Sequence, residues 1–257
     1  MIFFFIPFYY TFKTRLKGTF SKFAWVTTYL LPVFIAHCLI SGTFNLPIVL
    51  SLLASISIIY NSYELGYLYN DAELIKKEAE PTLRLSPCEI SFYENKKIYI
   101  VLARVFILFL QFSLLYFFFP YYFYSSLISC GLIIFTYVIY NSIRSRANIP
   151  LYSFLVYLRY FGLFILSCTF GQLLLLWFVY PFVVTIEFSS KKRFGIKWLA
   201  GKVENDAFRF FFYSAGMLLQ ALLGLFFDTV WLPIFYLNLY FLFYRTFIFI
   251  LQGKLRG

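Results

Sequence analysis

Charge is scarce in this chain: Asp, Glu, Lys and Arg make up 13% of its 257 residues, about half the share found in an ordinary soluble domain. So few polar groups cannot cover a water-facing surface around a content of 62% hydrophobic residues. That excludes a soluble globular fold and places the chain in a membrane. Crossing a hydrocarbon core of ~30 Å takes ~20 helical residues, so eight crossings use roughly 160 residues and leave about 97, too few for a separate soluble domain. Cysteine is sparse as well. Cys38, Cys88, Cys130 and Cys168 show no C-x-x-C spacing, and three of them lie in apolar runs, which predicts neither a disulfide nor zinc. The single histidine, His37, falls in an apolar run and reads as a packing residue before it reads as a base. No phosphate-cradling G-x-x-x-x-G-K-[ST], H-E-x-x-H, G-x-S-x-G or glycine-rich dinucleotide motif occurs, so hydrolases and nucleotide-driven pumps lack support. Acids are half as frequent as bases, 11 against 22, and the net charge of +11 points to anionic lipid headgroups or phosphorylated substrates; nucleic acid is not an expected partner.

What is present is a series of apolar runs divided by polar or Pro/Gly punctuation. They predict an all-α, polytopic transmembrane bundle of eight helices, at about 23 to 42, 46 to 69, 97 to 118, 121 to 140, 151 to 168, 171 to 187, 207 to 227 and 229 to 251. Residues 1–22 carry their basic groups after the apolar stretch Met1 to Pro7, the reverse of a secretory signal, and read as an interfacial segment. Residues 23–257 then form a single transmembrane domain. Of 22 basic residues, 19 fall on the termini and alternate connections. The positive-inside rule therefore puts both termini and the loops 70–97, 141–150 and 188–206 in the cytoplasm. Arg104, Arg159 and Arg245 lie within predicted helices, where an arginine is functional or paired by default, although Arg104 is near enough to the expected helix end to snorkel. Arg245 could answer Glu187 or Asp228. A transporter would place polar residues near mid-membrane; here they gather at helix ends, on the cytoplasmic side.

Seven of the eleven acids lie between Glu64 and Glu94. If the second helix continues past the membrane surface, Glu64, Asp71 and Glu78 recur every seven residues and share one face. Asn61 lies one turn before Glu64, Asn70 precedes Asp71, and Lys76, Lys77 and Arg84 surround them. Carboxylate and amide oxygens beside cations can hold Mg²⁺ on a diphosphate. A solvated charged loop accounts for the spacing equally well. Glu64 tips the balance, because an unpaired carboxylate inside an apolar run is costly.

The set Asn70-Asp71, Glu78 and Pro81-Thr82-Leu83-Arg84 at the end of a second helix resembles the first aspartate-rich motif, N-D-x-x-D-x-x-x-D, of the UbiA superfamily of intramembrane prenyltransferases. Leu74 stands where that motif has a carboxylate. Tyr140-Asn141-Ser142-Ile143-Arg144-Ser145-Arg146, then Arg159 and Gly162, and Lys192-Arg193 after the sixth helix resemble the superfamily branch of decaprenyl-phosphate phosphoribosyltransferases. The resemblance covers residues 60 to 200 in order and spacing. The superfamily usually has nine helices, and its second acidic motif is here reduced to Glu187 and a run of cations.

The resemblance implies a Mg²⁺-dependent transferase of a bacterial inner membrane. It would move 5-phosphoribose from phosphoribosyl diphosphate to polyprenyl phosphate, a precursor for furanose-containing surface polysaccharide. Asn70, Asp71 and Glu78 would bind Mg²⁺ and diphosphate and form the catalytic set. Lys77, Arg84, Lys192 and Arg193 would bind phosphate, Arg144 and Arg159 would hold the lipid phosphate or line the site, and Tyr140 and Glu64 would belong to the substrate-binding set. An acceptor phosphate is already an anion, so no general base is required. Two alternatives stand. A prenyltransferase would use a prenyl diphosphate and an aromatic or small acceptor, and a non-catalytic member would only bind polyprenyl lipid. The aromatic content of 25% fits a shielded allyl cation but equally fits lipid-facing surfaces and interfacial belts.

Overall fold

Capping side chains and prolines decide where the helices begin. The computed structural model describes residues 1–77, 82–143, 145–203, 205–224 and 232–255, and among these every regular element is helical. In chain order they are α1 (Tyr9–Thr14), α2 (Thr19–Trp25), α3 (Leu31–Ser41), α4 (Leu46–Ala72), α5 (Pro87–Phe118), α6 (Phe123–Ser142), α7 (Asn148–Phe161), α8 (Phe170–Val179), α9 (Pro181–Ser189), α10 (Asp206–Gly224) and α11 (Leu232–Leu255). Asn45 Oδ1 accepts the Ile48 N–H at 3.0 Å to open α4, with a proline in the first turn. Ser86 and Glu89 form a reciprocal capping box at α5: Ser86 Oγ accepts the Glu89 N–H and Glu89 Oε2 accepts the Ser86 N–H. That box starts α5 at Pro87 rather than at the expected 97, so Arg104 lies well inside the helix and cannot snorkel from its end.

Among the described residues, five helical stretches are long and apolar enough to cross a membrane: Thr19–Ser41, Leu46–Lys76, Pro87–Phe118, Pro120–Ser142 and Ile234–Leu251. The pair Phe170–Val179 and Pro181–Ser189, bent by 50°, makes a sixth if it is one broken span. The chain is thus a multi-pass helical membrane protein. The difference from eight has local causes. Pro181 lacks the N–H that would carry α8 into α9. The stretch expected at 151 to 168 stops at Phe161, turns through the 3-10 segment Gly162–Phe164, and restarts only at the Thr169–Gln172 capping box of α8. With 14 residues, α7 extends ~21 Å, short of the ~30 Å core.

The chain divides into two units, Met1–Thr27 with Thr43–Ile143, and Thr28–Gly42 with Arg144–Gly257. In the first, α4 packs on both α5 and α6. Ser51 on α4 donates to the Phe119 carbonyl at 2.8 Å and accepts the Tyr122 N–H at 3.1 Å, which fixes the turn between α5 and α6. The outward face of α5 carries exposed Leu102, Phe106 and Phe109, an apolar surface suited to lipid. The N-terminal residues, expected as an interfacial segment over 1–22, bury Phe3, Phe4 and Tyr10 in a cluster with Leu68, Tyr93 and Ile100. In the second unit α10 packs on α11, α7 and α8 on α9, and α11 on α3, where His37 is buried.

Helices α4 and α6 approach closely at Gly66, where an added Cβ would lie 2.5 Å from the Tyr137 ring. Gly66→Ala is expected to lower stability by about 1–3 kcal/mol through overpacking, read as an earlier thermal unfolding midpoint in detergent. Adding Tyr137→Leu should restore part of it. An unchanged midpoint in the single variant would contradict this close approach.

Candidate functional site

Glu64 and Asp71 stand seven residues apart on α4, and both side chains are fully buried. A buried carboxylate must be neutralised or bonded, and each of these is, by a different arginine. Arg104 of α5, itself fully buried, donates from Nη1 to Glu64 Oε2 at 2.8 Å. The same guanidinium donates to Asn61 Oδ1 at 3.2 Å and, from Nε, to the Phe4 carbonyl at 2.8 Å. Glu64 in turn accepts the Phe8 N–H at 3.0 Å and the Thr11 N–H at 2.8 Å, so one carboxylate caps the first turn of α1. Phe8 holds a left-handed φ of 67°, a strained conformation for a residue with a side chain. The strain is held in place by that N–H bond and by stacking of its ring on Tyr60 at 4.6 Å. Glu64 is therefore a structural anchor rather than a substrate ligand.

Asp71 is saturated. Its Oδ2 accepts from Tyr10 Oη and Arg15 Nη1, both at 2.8 Å, and its Oδ1 accepts from Arg15 Nη2 at 3.1 Å and Arg84 Nη1 at 3.2 Å. Four donors fill the roughly four lone-pair sites of a carboxylate. Arg15 also lies over the Tyr67 ring at 3.5 Å. Burial, and then the negative charge of Asp71, push the Tyr10 phenol well above its ordinary value, so it remains a neutral donor. A Mg²⁺ ion would have to displace a guanidinium, and the donor set as arranged does not fit one. No group of three His, Cys, Asp or Glu suited to a metal occurs among the described residues.

Two members of the expected metal set remain besides Asp71. Asn70 is half-buried next to it on α4, and Glu78 lies outside the described residues. The helix ends at Ala72, and a 3-10 turn over Leu74–Lys77 follows. Leu74, the residue standing where the motif has a carboxylate, is buried and folds that turn inward. The turn is tied to α5 by Lys97–Glu73 and Lys76–Glu94 pairs, each at 2.6 Å. Arg84 does reach the site, but as a partner of Asp71. Tyr140 lies on α6 beside Tyr137, with ring centroids 6.3 Å apart. Arg144 and the Lys77 side chain fall outside the described residues.

The second unit gathers the other cations. The turn after α9 brings Lys192 and Arg193 to Ser145, Arg146 and Asn148, around a cavity of 570 Å³. Arg146 donates from Nε to the Phe194 carbonyl at 2.9 Å, and Gly195, at φ 65°, turns the chain beneath it. The Arg193 guanidinium lies 4.9 Å from the Phe188 ring and 4.8 Å from that of Phe194. Arg159, in the last turn of α7, lies over Tyr29 at 4.8 Å. Glu187 is engaged by Arg209 through both oxygens, at 2.5 and 3.0 Å, and Asp206 bridges Arg209 and Arg245 at 3.0 and 3.4 Å. Arg245 thus finds Asp206, not Glu187; Asp228 lies outside the described residues.

Sequence reasoning flagged Glu64 and Arg104 separately but not as a pair, and it gave no sign that Arg15 and Tyr10 belong to Asp71. Glu64→Gln should leave Arg104 buried without its counter-charge and lower stability by about 3–5 kcal/mol, measured as unfolding in detergent. Combining it with Arg104→Met should recover much of that loss; a single variant as stable as the parent would refute the anchor role. A saturated Asp71 further predicts that added Mg²⁺ shifts the melting midpoints of the parent and of Asp71→Asn by the same amount. A shift seen in the parent alone would restore Asp71 as a ligand.

The chain matches no protein-family model, no curated protein and no solved structure. The resemblance to the UbiA superfamily rests on the residues quoted for it.

Proposed function

We propose that this multi-pass membrane protein recognises the phosphate of a polyprenyl-type lipid and transfers 5-phosphoribose to it from phosphoribosyl diphosphate. The observation that carries the lipid-phosphate part is the cavity where Arg146, Lys192 and Arg193 converge. The guanidinium and ammonium groups that the described residues bring to this lining fit a phosphate monoester, by charge and by hydrogen bonding. The transfer itself is what the motif resemblance adds. In that reading a lipid phosphate oxygen attacks C1 of the ribose as diphosphate departs, with the donor arriving as its Mg²⁺ complex, and the basic side chains stabilise the accumulating negative charge. The alternate placement of basic residues supports cytoplasmic termini and a cytoplasmic site in a bacterial inner membrane. The product would serve furanose-containing surface polysaccharide.

A second reading is favoured by the saturated Asp71 and by Glu187 held bidentate on Arg209. With its carboxylates engaged, the protein would bind or carry polyprenyl phosphate without chemistry.

Radiolabelled 5-phosphoribosyl diphosphate, polyprenyl phosphate and purified protein, with Mg²⁺ or with chelator, separate the two readings. Transfer predicts label in the lipid phase, reduced on the order of 100-fold when Lys192→Gln and Arg193→Gln are combined, since each charged hydrogen bond contributes ~1.5–3 kcal/mol. Folded protein that binds the lipid yet yields no label would leave the carrier reading. Failure to bind lipid phosphate would remove both.

A further inference from the structure

Within the first unit, α4 and α6 run side by side in the same sense. Ser62 Oγ lies 3.0 Å from Cys130 Sγ, and one turn further along α4 Gly66 meets the Tyr137 ring, so the contacts advance together toward the two C-terminal ends. Gly66 adds no side chain to this wall, and beside its close approach to Tyr137 the facing surfaces enclose a cavity of about 370 Å³. Its lining spans positions 62 to 69 of α4 and 134 to 142 of α6, about 10 and 12 Å along the axes at 1.5 Å per residue. On each helix the lining residues recur at i, i+3, i+4 and i+7, which is a single face.

The open polarity of this cavity lies at one end. Tyr69, Asn141 and Ser142 stand where both helices finish, whereas Leu65, Ile134 and Val138 make the rest of the wall apolar. None of the described lining residues is charged, so an ionic occupant would find no counter-charge among them. The serine hydroxyls have already donated, Ser62 to the Ile58 carbonyl at 2.8 Å and Ser142 to the Val138 carbonyl at 2.7 Å. Asn141 differs: its Oδ1 is sealed from solvent and has no hydrogen-bond partner among the described residues. A buried amide oxygen bears the cost of its lost hydration until a donor is supplied. Ile134 and Val138, 42% and 62% exposed, form the mouth of the cavity within a stretch of membrane-spanning length, so it opens toward the hydrocarbon phase.

We propose that this cavity binds a neutral single-chain lipid with a hydroxyl head, drawn from the surrounding membrane. The hydroxyl donates to Asn141 Oδ1 at the helix ends, and the alkyl chain lies between α4 and α6 toward Ser62. A hydroxyl both donates and accepts, so it satisfies the Asn141 amide whichever of its two ends faces the cavity. A ketone, ester or ether can only accept and leaves the amide oxygen open. The volume lies near the lower end of the ~300–1,000 Å³ typical of ligand pockets, which suits one chain. The site is separate from the basic cavity of the second unit, and it stands or falls independently of the phosphate reading.

A photoreactive fatty alcohol with a diazirine in its chain, incorporated with the full-length protein into phosphatidylcholine vesicles, tests this. Label should map by mass spectrometry to residues 62–69 and 134–142. Unlabelled n-decanol should compete roughly fivefold better than its methyl ether, the worth of one neutral hydrogen bond. Asn141→Leu should erase that difference. Because it removes an unpaired buried acceptor, this variant should also unfold no earlier than the parent, which separates lost recognition from lost structure. Val138→Trp, a change at the exposed mouth, should reduce labelling several-fold. Equal competition by n-decanol and its methyl ether in the parent overturns the hydroxyl contact, and label confined to other segments overturns the site. Decanoate or decylammonium competing as strongly as n-decanol overturns the neutral assignment.

Discussion

The first unit depends on one buried ion pair. Arg104 and Glu64 are both sealed from solvent, and either charge alone would be costly there. Together they join α4 to α5, and their remaining hydrogen-bonding capacity holds the N-terminal chain: Arg104 takes the Phe4 carbonyl, and Glu64 takes the Phe8 and Thr11 N–H groups. The left-handed Phe8 and the burial of Phe3 and Phe4 follow from that docking. Polar groups with no water to satisfy them must satisfy one another, and here a terminal segment supplies the last partners.

The same constraint governs the rest of the chemistry. Asp71 is shared by Arg15, Arg84 and Tyr10, and Glu187 with Asp206 holds Arg209 and Arg245. Among the described residues Glu64, Asp71, Glu187 and Asp206 act as counter-charges for arginines, and Glu73, Glu89 and Glu94 pair with lysines. Bases outnumber acids twofold, and among the described residues Arg146, Lys192 and Arg193 line one cavity.

Much of the helical layout was legible in the sequence, because apolar runs of membrane length can bury their backbone only as helices. The second, third, fourth and last expected helices overlap α4, α5, α6 and α11 closely. The errors fell at ends and breaks. The Ser86–Glu89 box lengthened α5 backward into a polar stretch, and α7 stopped at Phe161, where hydropathy alone continued. The seven-residue spacing of Glu64 and Asp71 on one buried face was readable, but its extension to Glu78 assumed a helix that ends at Ala72.

The sequence by itself determined the membrane environment, the all-helical class and which charged residues could not stand alone, since hydropathy and the cost of a lone buried charge are local properties. Which arginine answers which acid was decided only by tertiary structure. Arg104 meets Glu64 across 40 positions, Arg15 meets Asp71 across 56, and Arg209 meets Glu187 across 22. Nothing in linear spacing encodes such pairings. They depend on which helix faces pack together, and that packing holds Glu64 and Asp71 in closed ion pairs.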